Sequence, residues 1–126
     1  WNEAGSSSNP CSDIYAGNKP FSEPETKSMS NYILNQKDRI AMYLTIHSYS
    51  QLFLTPWGWT EDLPPAYQDL KRAADSAARA LKSLYGTEYT VGSSTQVLYA
   101  ASGGSDDWAH GVANIKYSYT IELRDT

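Results

Sequence analysis

From Pro64 to Tyr85 the chain places Leu70, Ala73, Ala74, Ala77, Ala78, Leu81 and Leu84 at intervals of three and four, with Lys71, Asp75, Arg79 and Lys82 on the other side. The spacing predicts a long amphipathic helix that Gly86 ends as a C-cap. Strand patterns lie on both sides of it. The run "IAMYLTI", 40–46, is almost continuously apolar, with charge before it and polarity after it, which predicts a central strand covered on both faces. "QLFLT", 51–55, predicts a second strand, stopped by Pro56 and the turn "PWGWT". "IKYSYTIEL", 115–123, alternates strictly: Ile115, Tyr117, Tyr119, Ile121 and Leu123 take one face and Lys116, Ser118, Thr120 and Glu122 the other. Helices interleaved with strands predict an α/β fold, a mixed sheet with helices packed on it.

The remaining segments are shorter. Residues 1–21 are dense in Gly, Ser, Asn and Pro and carry no sustained period, so they read as irregular connection. Ser22 is placed to cap a helix over about 23–37, with Pro24 in its first turn, Glu25 completing a capping box, and Met29, Tyr32 and Ile33 on one face. After a short apolar piece, a Gly-rich turn at Ser102–Gly104 precedes a brief helix capped by Ser105, with Asp106 and Asp107 in its first turn.

With 126 residues, 40% of them hydrophobic, the chain is sized for one domain with a core. Its ten tyrosines and four tryptophans suit a cleft with apolar walls and hydrogen-bonding tips. A formal charge of −4 offers no basic stripe for a nucleic-acid backbone. No apolar stretch approaches the roughly 20 residues that span a bilayer, and no charged leader opens the chain, which reads as mature or truncated. The single cysteine, Cys11, is either a free thiol or half of a bridge whose other half lies outside the chain.

In open α/β sheets functional groups collect at the carboxyl ends of strands, where His47 and Glu122 both fall. Each has a plainer reading. His47 could be a hydrogen-bonded residue at a sheet edge, Glu122 could pair with Arg124, Tyr99 could belong to the core, and first-turn acids such as Asp106 and Asp107 stabilise a helix N-terminus without further role. His110, without a nearby acid or second histidine, reads as structural, and nothing around Cys11 would make it a nucleophile. The chain contains no HExxH, CxxC, Walker loop or GxSxG, and "SGGSD" is only faintly like a nucleophile turn, so a serine hydrolase built on Ser105 and His47 is a distant reading. Composition and spacing alone leave the function open.

Taken in order and spacing, "NPCSDIYAG", "IHSYSQL", "KSLYGTEY", "ASGGSDDWAH" and "IKYSYTIELRDT" resemble the zinc metallocarboxypeptidases of the pancreatic A/B type, over essentially the whole chain. The resemblance implies that residues 1–126 are part of a catalytic domain. The family's HxxE zinc-ligand region and its substrate-carboxylate arginine would precede Trp1, and its last helix would follow Thr126. It implies a Zn2+ cofactor with His47 as third ligand, Glu122 as general base, Ser48 and Tyr49 lining the substrate cleft, and Tyr99 as a mobile tyrosine closing over the bound C-terminal residue. Cys11 matches a cysteine that pairs with one upstream, pointing to an oxidising compartment and a secreted protein.

Asp106 matches the floor of the pocket for the substrate's C-terminal side chain, where a carboxylate suits Lys or Arg. The resemblance therefore implies a B-like exopeptidase acting on peptide or protein C-termini that end in Lys or Arg, with Asp107 a structural acid of the same turn. One histidine cannot hold zinc tightly by itself, so these 126 residues in isolation are expected to be inactive. The alternative is a carboxypeptidase-like piece that only binds.

Overall fold

The computed structural model describes residues 1–125. Its elements in chain order are α1 (Pro24–Gln36), a single 3-10 turn (Lys37–Arg39), β1 (Met42–Ser48), β2 (Leu52–Thr55), α2 (Tyr67–Tyr85), β3 (Thr90–Ser93), α3 (Ser94–Val97), α4 (Ser105–Gly111) and β4 (Tyr117–Leu123). The four strands form one mixed sheet in the order β1-β4-β2-β3, with β1 parallel to β4, β2 antiparallel to β4, and β3 parallel to β2. The expected α/β architecture is therefore the one observed.

The strict alternation of β4 puts one row of side chains on each face of the sheet. On the first face Tyr119, only 1% exposed, packs edge-on against Phe53 with ring centroids 5.0 Å apart, and its hydroxyl donates to the Leu70 carbonyl at 3.2 Å. Leu70 and Ala74 of α2 complete this core, as the Leu/Ala stripe predicts, whereas Leu81 and Leu84 at the far end of the same stripe are exposed because α2 runs past the described sheet there. Gly86 closes α2 in the left-handed region at φ 75°, where a side chain is disfavoured, and its N–H bonds the Lys82 carbonyl. On the second face a separate core joins Ile33 of α1 to Ala109, Ala113 and Ile115, with Trp108 and Tyr43 against it; Ile115 precedes β4 and so does not share the Tyr119 face that strict alternation predicts.

Several local expectations are corrected. The apolar run at 40–46 does not form a covered central strand: β1 is at the edge of the described sheet, and Met42, Leu44 and Ile46 are exposed. The reason lies in the reach of α2, which packs on β2 and β3 and leaves the same face of β1 bare. The centre belongs instead to β4, whose Ser118 is buried under α4 with Thr120 and Glu122 partly covered, so its alternation marks two chemically different faces rather than one core face and one wet one. Ser22 does not cap α1. The cap position is Glu23, with no side-chain cap bond, and the Ser22 hydroxyl donates to the Glu23 carboxylate at 2.8 Å. Met29 and Tyr32 face solvent and Ile33 alone of the expected face is buried. Gly104, not Ser105, precedes α4 as its cap residue. The segment 90–97, which lacks a clear period, holds β3 and the single turn α3.

Candidate active site

Because β1 and β4 run parallel, their carboxyl ends lie side by side, and register pairs His47 with Glu122 directly. His47 Nδ1 stands 4.0 Å from Glu122 Oε1, with the imidazole half exposed and the carboxylate largely covered. Two residues back on the same strand face, the Thr45 hydroxyl lies 2.9 Å from His47 Nε2. That contact occupies one ring nitrogen and leaves Nδ1 as the nitrogen facing Glu122.

α4 brings its first turn over the same face. Ser118 and Thr120 precede Glu122 on it, and the Ser118 hydroxyl donates to the Asp106 carbonyl at 2.7 Å, anchoring the helix to the strand. The Asp106 side chain, 5% exposed, bonds Thr120, which is the register partner of Thr45. Burial pushes the Asp106 carboxyl above the usual carboxylate range, against hydrogen bonds and the His47 charge that pull it down. Its neighbour Asp107 is pushed up to about 7, first by burial and then by the adjacent Asp106 charge.

The structure thus gathers His47, Glu122 and Asp106 on one sheet face. Ser48 ends β1 and Tyr49 follows it through a cis peptide bond, both exposed beside His47. Tyr99, 70% exposed, stands on the loop between α3 and α4 and is not a core residue. That loop is tied to the turn after β2, where the Ala101 N–H donates to the Gly58 carbonyl at 2.7 Å. His110 lies elsewhere, edge-on to Trp57 with ring centroids 5.1 Å apart and its Nδ1 2.9 Å from the Lys116 carbonyl. Cys11 is exposed and free.

Sequence reasoning passed over Thr45, Thr120 and Gly58. Period-two counting back from His47 and Glu122 points to both threonines, since residues two apart share a strand face. Nothing local marks Gly58, whose partner Asp107 is 49 positions away.

Residues 1–126 match the protein-family model described as zinc carboxypeptidase, and the chain belongs to that family. It is 56% identical over 126 residues to carboxypeptidase B of Astacus astacus, covering all of this chain and 42% of that protein, and 48% identical to carboxypeptidase B of Rattus norvegicus, covering 30% of it. Among solved structures, bovine thrombin-activatable fibrinolysis inhibitor in complex with tick carboxypeptidase inhibitor superposes with a TM-score of 0.93 at 39% identity, over 97% of this chain and 41% of that one. The chain thus spans well under half the length of these relatives.

The family's cofactor is zinc. His47 fits one ligand position, since its Nδ1 is turned to the carboxylate side while Nε2 is held by a hydroxyl, an arrangement that orients a metal-binding imidazole. Among the described residues no group of three or more His, Cys, Asp or Glu side chains could hold a metal. What this chain offers toward a zinc centre is one imidazole with an acid beside it.

Proposed function

We propose that the protein carrying this chain is a zinc-dependent exopeptidase that hydrolyses the C-terminal peptide bond of peptides and proteins ending in Lys or Arg. The carrying observation is the register pairing of His47 with Glu122 at adjacent strand ends, with the buried Asp106 on the same face. His47 would hold the metal through Nδ1, and Thr45 fixes the ring. When bound, zinc acidifies water and polarises a carbonyl. Glu122 takes the proton of the attacking water and passes it to the leaving amine, a task that its position across from His47 supports.

Asp106 selects the substrate. A buried carboxylate with little water around it resists ionising alone, and the cationic end of a Lys or Arg side chain relieves that cost while an apolar end does not. Relatives named carboxypeptidase B support the same preference. Ser48 and Tyr49 line the cleft beside the metal, and the exposed Tyr99 closes over the bound C-terminal residue. Residues 1–126 are one part of the catalytic domain. The exposed Cys11 is suited to a disulfide with an upstream segment, which supports secretion, and no described helix is long and apolar enough to cross a membrane.

Hydrolysis of matched peptides ending in Arg, Lys or Phe, with and without a zinc chelator, tests this reading in the full-length protein. Chelator-sensitive release of Arg and Lys is expected, shifting toward Phe in Asp106→Ala; release that ignores the chelator, or selectivity unchanged by the substitution, overturns it. Binding without turnover is the second reading for these 126 residues alone, favoured because the described residues contain no group of three or more His, Cys, Asp or Glu side chains that could hold a metal.

A further inference from the structure

Asp107 is a buried acid to which the proposed chemistry gives no task. Its two oxygens accept the Gly58 N–H at 3.0 and 2.9 Å, and the Trp59 N–H adds a further bond. The opposite side of Gly58 is held as well, its carbonyl accepting the Ala101 N–H. A Cβ on Gly58 would lie 3.3 Å from the Ala101 carbonyl oxygen and 3.4 Å from Asp107 Oδ2, so a side chain there would press on both of its partners. One residue, through the two peptide units that flank it, therefore joins the turn after β2, the loop that carries Tyr99, and the first turn of α4. Asp106 is the preceding residue on that helical turn, about 100° around the axis from Asp107. Whatever fixes Asp107 fixes the direction in which Asp106 points.

Resting on the reading of Asp106 as the acid that meets a Lys or Arg end, we propose that Asp107 is a positioning residue for that specificity: clamped on Gly58, it holds α4 at the angle from which Asp106 reaches the substrate cation. The partial neutralisation of Asp107 near pH 7 supports this task, because it lowers the repulsion that two adjacent buried carboxylates would otherwise exert. The clamp also gives the buried Asp107 carboxyl backbone hydrogen-bond partners outside its own helix.

The test is steady-state kinetics of the full-length zinc-loaded protein on peptides ending in Arg and in Phe, for the unmodified chain and for Asp107→Ala, Asp107→Asn, Gly58→Ala and Asp106→Ala. Loss of the hydrogen bonds from Gly58 and Trp59 predicts that Asp107→Ala raises KM for the Arg peptide by about tenfold, with a smaller change in kcat and a lower Arg-over-Phe ratio. Asp107→Asn keeps one acceptor for the Gly58 N–H and is expected to recover part of that loss. Gly58→Ala disturbs the clamp from the other side and is expected to reproduce it. If Asp107→Ala fails to fold, the Asn and Gly58 variants decide. Unchanged KM and selectivity in these two, or a fall in kcat alone, overturns the inference while leaving the role of Asp106 standing. No Arg or Lys preference in the unmodified protein, or none lost in Asp106→Ala, overturns the pocket reading and this inference together.

Discussion

Adjacent aspartates in one helical turn have different surroundings: Asp106 meets the sheet through Thr120, and Asp107 meets backbone N–H groups. The second has a consequence for stability. The folded Asp107 carboxyl is raised to about 7 from 3.8, so between those values the folded chain binds the extra proton and the unfolded chain does not. Its contribution is therefore full below 3.8 and is lost as pH rises through about 7. Asp107→Asn, which has no proton to lose, is expected to flatten that decline, read as urea midpoints at pH 5 and pH 8; an equal decline in both proteins would show that Asp107 is not its source. At Glu122 the expectation concerns chemistry alone. Glu122→Gln should keep bound zinc, measured by metal analysis, and lose turnover by about 100-fold or more. Retained turnover would remove Glu122 as the base. His47→Ala should lower zinc content, and full occupancy would contradict the ligand assignment.

Among the elements, α2 and α4 divide the labour. The nineteen residues of α2 present the buried Leu70, Ala74 and Ala78 to one sheet face, and Leu70, in the first turn, is fully buried. Replacing Leu70 with Ala leaves a cavity beside Tyr119 and Phe53 and should cost about 2–5 kcal/mol, measured by denaturant unfolding, with the Arg-over-Phe selectivity unaltered. A selectivity change would mean that the two faces are coupled. The seven residues of α4 are too few to hold a helix by propensity. They are held by the Ser118 bond to the Asp106 carbonyl, the Gly58 clamp on Asp107, and the burial of Ala109. α4 is accordingly an element whose position is set by its partners, and it carries both acids.

At the scale of the whole molecule, β1 is the weakly covered part. Its outer edge has no partner among the described strands, and Met42, Leu44 and Ile46 are 47%, 44% and 55% exposed. An apolar strand edge of this kind is a template for association. Residues 1–126 prepared alone are expected to self-associate, and Leu44→Lys with Ile46→Lys to reduce it, by sedimentation velocity. A monodisperse monomer of the unmodified segment would show that the edge is protected.

The sequence by itself determined the elements whose signal is periodic and local: the Leu/Ala stripe of α2 with its Gly86 cap, the alternation of β4, and the α/β class. Motif order pointed to the zinc carboxypeptidase family because five separated stretches agree at once. Other features depended on partners distant in the chain. An apolar run cannot say whether it is central or an edge, since that depends on how far α2 reaches. The nearness of His47 to Glu122 required parallel register between strands separated by the whole of α2. The tie from Asp107 to Gly58 spans 49 positions and was decided by tertiary structure alone, because a backbone N–H carries no side-chain signature from which a sequence pattern could foresee it.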